Sequence, residues 1–403
     1  MARRYEMMCG QTYLWGMSLT MNFKIFLPIL IVISTCFLSG CEYSDLQVDE
    51  HHIIKAEYAE GFRWVKLNNV SWLECLNPES NEVLSRVVRD SSDLSLLPEE
   101  MLTKFDFIVL CKGERLATLS TTHVALIEKS VGLEHWAGGA FISYLQSESA
   151  LEKIKNGTAL DLGGNPEINR EMCVLSKPSA LLIYPFGDPL NGDGEVFGIP
   201  VIPITEYLEP SPLGRAEWMR VIGWLVGEEE KSDLAFKEIA EKYNRLRKEV
   251  HRNNSNVPIV FTGSVKEGKW NAPGGGSLVA RFIEDAGGKY LFNGGRENIS
   301  MELESVISAA SDADIWGMVV YAPEGYSKSK LVMEDPRHSY LIPKSGKVFY
   351  CNTATTDYFG SMIVQPEVVL ADLISLIRPD LAGDTLFLGP KTHEEKTFKW
   401  LPE

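Results

Sequence analysis

The stretch 228–252, EEEKSDLAFKEIAEKYNRLRKEVHR, has the pattern of one long amphipathic helix. Its apolar side chains recur at steps of three and four residues, with charged residues between them; the apolar set is Phe236, Ile239, Ala240, Tyr243, Leu246 and Val250. Acidic residues open the stretch and basic residues close it, as the helix dipole favours. Such a helix extends on the order of 35 Å. We expect it to link two halves of the protein; the alternative is a surface helix of one large domain.

Strands and helices alternate on both sides of this helix. Before it, apolar runs such as ALLIYPF (180–186) are continuous, which is typical of strands covered on both faces. After it, the alternation restarts with PIVFTGS and ends with PEVVLADLISLIRPDL. The predicted fold class is therefore α/β, with two doubly wound Rossmann-like lobes bridged by one long α-helix. Near the N-terminus, residues 61–76 alternate around Asn68 and Asn69 and predict a hairpin.

The string LSGC at 38–41 follows Lys24 and the short apolar run 25–37, as in a lipoprotein signal sequence. The apolar run is too short to span a membrane. We expect cleavage before Cys41 and lipidation of that residue, so that the protein is anchored to a membrane of the cell envelope and faces the periplasm or exterior. The predicted organisation is a signal peptide at 1–40 with its start near Met21, a lipidated tether at 41–60, a first lobe with an added hairpin at 61–227, the linking helix at 228–252 and a second lobe at 253–403.

Charge and cysteine content narrow the class of protein further. The formal net charge is -16, which disfavours nucleic acid as a partner. Four cysteines lie beyond the predicted lipidation site, none in a C-x-x-C pair, so a metal cluster is not expected; they are Cys75, Cys111, Cys173 and Cys351. They could pair in three ways, and we favour the alternative of buried thiols.

The sequence lacks the common catalytic and nucleotide-binding motifs G-x-S-x-G, H-E-x-x-H, Walker A and G-x-G-x-x-G in suitable positions. The nearest glycine cluster, PGGGS at 273–277, precedes a predicted helix that begins at Leu278. Such a turn can present backbone N–H groups to an anion, and Trp270 just upstream adds a flat apolar face. We therefore predict ligand contacts for Trp270, Gly274 and Gly275; the alternative is a flexible loop.

Ligands of open α/β sheets bind beyond the carboxyl ends of the strands. The loops at those positions are rich in aromatic rings, which suit a bulky, partly apolar ligand gripped between two lobes. The predicted contacts are Thr121, Thr122, His123, Phe141, Tyr144, Tyr184, Phe186, Tyr321 and Tyr358. The alternative for each ring is core packing, and for His123 it is capping or packing at a helix start. We expect no resident cofactor and no metal held by the protein.

Several longer strings resemble one family, the substrate-binding proteins of ABC importers for iron chelates, haem and cobalamin. The strings are RLATLSTTHVALIEKSVGL, INREMCVLSKPSALLIY, TEYLEPSPLGRAEWMRVIGWLVG, KWNAPGGGSLVARFIEDAGG, SMELESVISAASDADIW and QPEVVLADLISLIRPDL. The resemblance covers residues 105–386. It implies the class III periplasmic binding protein fold, with two α/β lobes joined by one long helix, a ligand in the cleft between them and little hinge motion.

The resemblance also implies partners and a role. The family places one acidic residue on each lobe to meet arginines of the permease subunits, and the matching positions are Glu171 and Glu304. The ligand would be a siderophore, haem or a corrinoid, which this protein passes to the permease. The partner ATPase would supply the energy, and this protein would catalyse no reaction. The turns KPSA and SDAD depart from the family pattern. Two alternatives stay open: a cofactor-processing or chelatase-like enzyme on the same scaffold, and a surface binding protein without an importer.

Overall fold

The structure, a computed structural model, describes residues 53–164, 167–185, 195–196, 198–253, 256–381 and 396–403. The predicted signal sequence, Cys41, most of the tether and Phe186 lie outside these residues. Within the described residues the strands form four sheets. One sheet is N-terminal, one belongs to the first lobe and two belong to the second lobe.

An N-terminal sheet extends the hairpin that we predicted. Its strands pair in chain order: β1 (Ile53–Lys55), β2 (Phe62–Leu67), β3 (Val70–Leu76), β4 (Val83–Val88) and β5 (Ile108–Val109). Strands β2 and β3 form the predicted hairpin, and Asn68 turns the chain with a left-handed φ of 53°, which asparagine tolerates better than most residues. Two short helices, α1 (Ser91–Leu94) and α2 (Glu99–Lys104), connect β4 to β5.

The first lobe is built on a six-stranded, mainly parallel sheet. Its strands are β6 (Leu116–Thr118), β7 (Trp136–Gly139), β8 (Leu160–Asp161), β9 (Ala180–Ile183), β10 (Glu195–Val196) and β11 (Ile199–Pro203). Their order is β10-β11-β9-β6-β7-β8, and β10 runs antiparallel to β11. The connecting helices are α3 (Thr121–Ser130), α4 (Glu148–Lys155) and α5 (Arg170–Leu175). Strands β9 and β11 are buried along their whole length, as strands between two helical layers should be.

Two consecutive helices leave the first lobe. Helix α6 (Pro212–Val226) ends at Gly227, which has a left-handed φ of 81°, and α7 (Glu229–Arg252) follows. All six apolar residues of the predicted stripe are buried in α7. Near its start, Lys231 donates to the carbonyl of Val131 in the first lobe. Further along, Tyr243 donates to Asp285 Oδ2 at 2.7 Å in the second lobe. The predicted long helix is therefore present and contacts both halves.

The second lobe repeats the α/β design. Its main sheet contains β12 (Ile259–Thr262), β15 (Lys289–Tyr290), β17 (Ile315–Val320), β18 (Val348–Asn352) and β19 (Lys399–Trp400), in the order β15-β12-β17-β18-β19. A small antiparallel sheet contains β13 (Ser264–Lys266), β14 (Lys269–Pro273) and β16 (Asn298–Met301). The helices are α8 (Leu278–Asp285), α9 (Leu303–Ala309), α10 (Lys328–Glu334), α11 (Tyr358–Val364) and α12 (Pro366–Ile377).

One apolar core runs through both lobes. It includes Leu116 and Ile202 of the first-lobe sheet, Phe236 of α7, and Val260 and Trp316 of the second-lobe sheet. The structure has two α/β lobes, each built on a mainly parallel sheet, and one long helix that joins them, which confirms the predicted fold class. No single helix within the described residues is long and apolar enough to cross a membrane; α11 and α12 together meet that test only across a bend of 106°.

The four predicted thiols are mostly buried. Cys75, Cys173 and Cys351 are free and buried, and burial raises the pKa of Cys75 to about 12. Cys111 is half-buried, and its Sγ donates to the carbonyl oxygen of Gly198 at 3.2 Å. A thiol with a raised pKa is a poor nucleophile at neutral pH, so Cys75 is a packing residue.

Candidate ligand site between the lobes

Three strands of the first-lobe sheet end side by side. Strands β6, β9 and β11 are parallel neighbours, so the residues that follow them share the edge where open α/β sheets bind ligands. Thr121 and Thr122 begin α3 after β6, Tyr184 follows β9, and Glu206 and Tyr207 follow β11. This edge is the first-lobe half of the candidate site.

A buried contact between a histidine and a glutamate lies at this edge. His123 Nε2 is 3.6 Å from Glu206 Oε2, and both side chains are buried. Thr122 Oγ1 donates to Glu206 Oε1 at 2.7 Å. Burial alone raises the pKa of Glu206, but His123 and the hydrogen bond from Thr122 outweigh it and hold the pKa below its usual value. Because His123 is fully buried, it supports Glu206, which corrects our prediction that it contacts the ligand.

Two tyrosines, one of them next to Glu206 in the chain, stack on each other. The ring centroids of Tyr184 and Tyr207 are 4.1 Å apart and their planes differ by 28°. Both side chains are half-buried. Burial raises the pKa of Tyr207, and the neighbouring Tyr184 and Glu206 raise it further, so its hydroxyl stays neutral at physiological pH. The pair offers a flat aromatic surface with polar tips.

Arg215 of α6 joins this group to the second lobe. Its Nη2 donates to the carbonyl oxygen of Tyr207, and its buried Nε has no hydrogen-bond partner among the described residues. Burial lowers the pKa of Arg215, while the nearby Glu206 and the second-lobe Tyr358 oppose that shift. Tyr358 begins α11, which packs against α3 and α6. The half-buried guanidinium therefore lies where the two lobes meet.

The remaining predicted rings lie at neighbouring strand ends. Phe141 follows β7 with a left-handed φ of 60°, and Tyr144 ends the short 3-10 helix that comes next; both are half-buried. Tyr321 follows β17 and is 53% exposed. As ligand contacts these three residues stay predictions. Among the residues that the structure describes, no group of three or more His, Cys, Asp or Glu side chains could hold a metal ion.

Trp270 belongs to the core of the second lobe. It lies in β14, its side chain is 0% exposed, and its ring centroid is 5.5 Å from that of Trp316. Its Nε1 donates to the carbonyl oxygen of Thr262 at 3.2 Å. A ring that is already enclosed by protein cannot contact a ligand in a cleft. This placement corrects our prediction of a ligand contact.

We expect Trp270→Ala to lower the free energy of unfolding by about 3–5 kcal/mol, because it leaves a cavity in a packed core. Urea denaturation measures this change. Tyr340→Ala is the matched control, since this ring is 74% exposed and its loss should cost less than about 0.5 kcal/mol. Weaker ligand binding by Trp270→Ala without loss of stability would return the ring to the ligand site.

The glycine cluster packs against its own lobe. The N–H groups of Gly274 and Gly276 donate to the carbonyls of Glu297 and Gly295 at 3.0 and 2.9 Å. A Cβ on Gly274 would lie 2.4 Å from the Gly295 oxygen, and one on Gly275 would lie 2.8 Å from the Phe292 oxygen. These glycines therefore allow two backbone segments to approach closely. The structure corrects our prediction for Gly274, which is buried and whose N–H is already bonded, while the ligand contact of the half-buried Gly275 stays a prediction.

Three site residues were missed in the sequence. Glu206, Tyr207 and Arg215 all lie in the string TEYLEPSPLGR, which follows directly after β11. Ligands of open α/β sheets bind beyond the carboxyl ends of the strands, and the loop after β11 begins at such an end. The position of the three residues just beyond a strand end is the signal that marks them in the sequence.

The two predicted docking carboxylates are exposed. Glu171 lies in the first turn of α5 and Glu304 in the first turn of α9. Glu304 Oε1 is 3.2 Å from Arg337 Nη1, with both side chains well exposed. Exposed ion pairs contribute little to stability, so Arg337 leaves Glu304 able to bind another guanidinium. Docking itself stays a prediction.

The sequence and structure are similar to known proteins. Residues 140–336 match the family model described as periplasmic binding protein. An uncharacterized lipoprotein of Methanocaldococcus jannaschii is 25% identical over 69% of this chain and 67% of its own length. A second uncharacterized lipoprotein of that organism is 21% identical over 59% of this chain and 62% of its own length.

Solved structures share the fold at low sequence identity. A TroA-like periplasmic binding protein from Veillonella parvula has a TM-score of 0.54 at 15% identity, over 72% of this chain and 96% of its own. A periplasmic haem-binding protein from Pseudomonas aeruginosa has a TM-score of 0.51 at 12% identity, over 72% of this chain and 98% of its own. At these identities the likeness shows the fold.

The fold and the strand-end site define the class III periplasmic binding proteins, in which two Rossmann-like lobes are joined by one long helix. The match to the family model confirms the resemblance drawn from the sequence. Over residues 140–336 this chain is similar to the periplasmic binding proteins, and it shares their two-lobed fold.

Proposed function

We propose that this protein captures an iron chelate, either a siderophore or haem, or a corrinoid, and delivers it to the permease of an ABC importer. The partner ATPase supplies the energy, and the protein catalyses no reaction. The family match and the class III fold support this class of function. The ligand class rests on the chemistry of the candidate site.

The observation that carries the proposal is a guanidinium set among tyrosine rings. Arg215 is half-buried beside Tyr207 and Tyr358, and Tyr184 stacks on Tyr207. Rings give a large chelate apolar contact area, and a guanidinium binds carboxylate or phosphate oxygens at its edge. The side chains of His123 and Glu206 are both buried, so neither is exposed to act on a ligand, which favours binding over catalysis.

The proposed location is the cell envelope. The family match and the lipoprotein relatives support that compartment. We propose that Cys41 carries the lipid and that residues 41–60 tether the first lobe to the membrane. In this arrangement Glu171 and Glu304 meet arginines of the permease subunits, so the receptor docks in one orientation.

The proposal is tested with protein purified from its own cells. We expect native mass spectrometry to detect a bound chelate of matching mass, and the visible absorption spectrum to show its chromophore. Purified protein should also bind haemin, cyanocobalamin or ferrioxamine B with a Kd on the order of 1 µM or lower. Failure to retain any chelate, together with failure to bind all three probes, would contradict the proposed function.

A further inference from the structure

The N-terminal sheet is fastened to the strand ends of the first lobe. Thr205 Oγ1, just beyond β11, donates to the carbonyl oxygen of Leu76 at 2.9 Å. Glu209 accepts hydrogen bonds from the backbone N–H groups of Glu60 and Gly61, both at 2.8 Å. A Cβ on Gly61 would lie 2.5 Å from Thr205 Oγ1, so only glycine permits this approach. The sheet is thus held next to the site that contains Tyr207.

A preorganised turn projects from this sheet between β3 and β4. The N–H of Asn77 donates to the carbonyl oxygen of Glu82 at 2.9 Å, and the carbonyl of Asn77 accepts from the N–H of Asn81 at 2.8 Å. The N–H of Glu79 donates to Asn77 Oδ1 at 2.9 Å. Pro78 is buried while Glu79 is exposed. These hydrogen bonds hold the backbone of Glu79 in place, and its side chain is exposed.

The turn faces the second lobe across a cavity. This cavity has a volume of about 320 Å³ and is lined by Pro78, Glu79, Gly295, Arg296 and Glu297. Arg296 is already paired with Glu60, at 3.0 Å. Since Glu60 already balances the charge of Arg296, the carboxylates of Glu79 and Glu297 make the cavity acidic. Ionised carboxylates can only accept hydrogen bonds.

The chain segments that line the cavity and carry the tyrosine pair are joined by a hydrogen bond: Thr205, two residues before Tyr207, donates to the carbonyl oxygen of Leu76, two residues before Pro78. Burial is the main reason that the pKa of Tyr207 is raised, and the charges of Tyr184, Glu206 and Glu79 raise it further. The hydrogen bond from Thr205 to Leu76 holds the β3–β4 turn near the loop that carries Tyr207. A ligand that rests on the tyrosines and is larger than the strand-end site would extend into this cavity.

We propose that the β3–β4 turn is an outer wall of the ligand site, and that Glu79, with Glu297 opposite, binds a hydrogen-bond-donating or positively charged substituent of the chelate. This inference rests on the proposed function and narrows its ligand. An amine-bearing hydroxamate siderophore or an amide-bearing corrinoid has such substituents. The edge of haem carries carboxylates, which two glutamates repel.

The test uses two variants of Glu79 and a matched control in the same turn. Full-length protein is titrated with ferrioxamine B, which ends in a primary amine, with cyanocobalamin and with haemin. We expect wild type to bind ferrioxamine B or cyanocobalamin, Glu79→Gln to weaken that binding about threefold and Glu79→Lys about tenfold. Glu82→Lys makes the same change of charge outside the cavity lining and should shift the affinity by less than about twofold. Thermal denaturation checks that each variant is folded.

The outcomes separate the inference from the proposed function. An affinity that Glu79→Lys leaves unchanged or increases overturns the inference alone, and so does binding of haemin as the only probe. Equal weakening by Glu82→Lys also overturns it, because the effect would then be a general one of net charge. Wild type that binds no probe and retains no chelate overturns the proposed function, and the inference with it.

Discussion

Arg215→Met is expected to weaken binding of the chelate by about 100-fold, which corresponds to ~2.7 kcal/mol. The methionine keeps much of the side-chain volume but removes the guanidinium that lies beside Tyr207 and Tyr358. A charge-assisted hydrogen bond in a partly desolvated site accounts for a loss of this size. Isothermal titration calorimetry with whichever of the three probes binds measures it.

Two further variants make the Arg215 result specific. Arg215→Lys keeps the charge but loses the planar fork, so we expect a loss intermediate between those of wild type and Arg215→Met. Arg245→Met removes an equal charge from the exposed face of α7 and should leave the affinity within about twofold. If the Arg215→Met and Arg245→Met variants bind the probe with equal affinity, the guanidinium of Arg215 does not contact the ligand.

The double variant Glu171→Lys/Glu304→Lys is expected to reduce uptake of the chelate at least about 100-fold while the ligand affinity stays unchanged. Each carboxylate is exposed at a helix start and lies outside the candidate site. Reversed charges would face the permease arginines that we infer, and like charges across an interface repel strongly. Uptake of the radiolabelled iron or cobalt complex by whole cells, beside titration of the purified variant, separates the two effects.

A control with the same change in net charge accompanies the double variant. Glu241→Lys/Glu284→Lys reverses two exposed glutamates, one on α7 and one on α8, and should preserve uptake. Folding should survive in both double variants, because the exposed pair between Glu304 and Arg337 contributes little to stability. Normal uptake by Glu171→Lys/Glu304→Lys would exclude these residues from docking.

The long helix and the two α/β halves were predictable from the sequence because they depend on local patterns. The apolar stripe of α7 has the helical period, and its six predicted members are all buried. Strand β9 reads as a continuous apolar run and is buried throughout. Such patterns indicate which residues of a helix or strand are buried, without reference to distant parts of the chain.

The side chains that face the cleft were less predictable, because burial depends on packing between distant segments. Trp270 shows a partial exception: Lys269 is exposed, Trp270 is buried and Asn271 is half-buried, which is the alternation of a half-buried strand. Reading the glycines downstream as a ligand loop obscured that alternation. The close approach of Gly274 to Gly295 involves a segment about twenty residues away and has no local signature.

The charged centre of the site was missed for a different reason. Glu206 is nearly fully buried and is stabilised by His123 and Thr122 from another element. Arg215 lies in a helix whose remaining residues are mostly apolar and buried. A charged residue in such surroundings is costly unless it has a partner, and its presence in GRAEWMRVIGWLVG was a signal that we did not use.

The unbroken apolar core from Leu116 to Ile374 has a consequence for how the molecule comes apart. Because apolar contacts are continuous from one half to the other, neither half should unfold while the other stays intact, and heating should give one sharp endotherm instead of two. For the same reason, a cavity-creating substitution under the sheet of one lobe should also increase the rate at which a protease cleaves the other lobe.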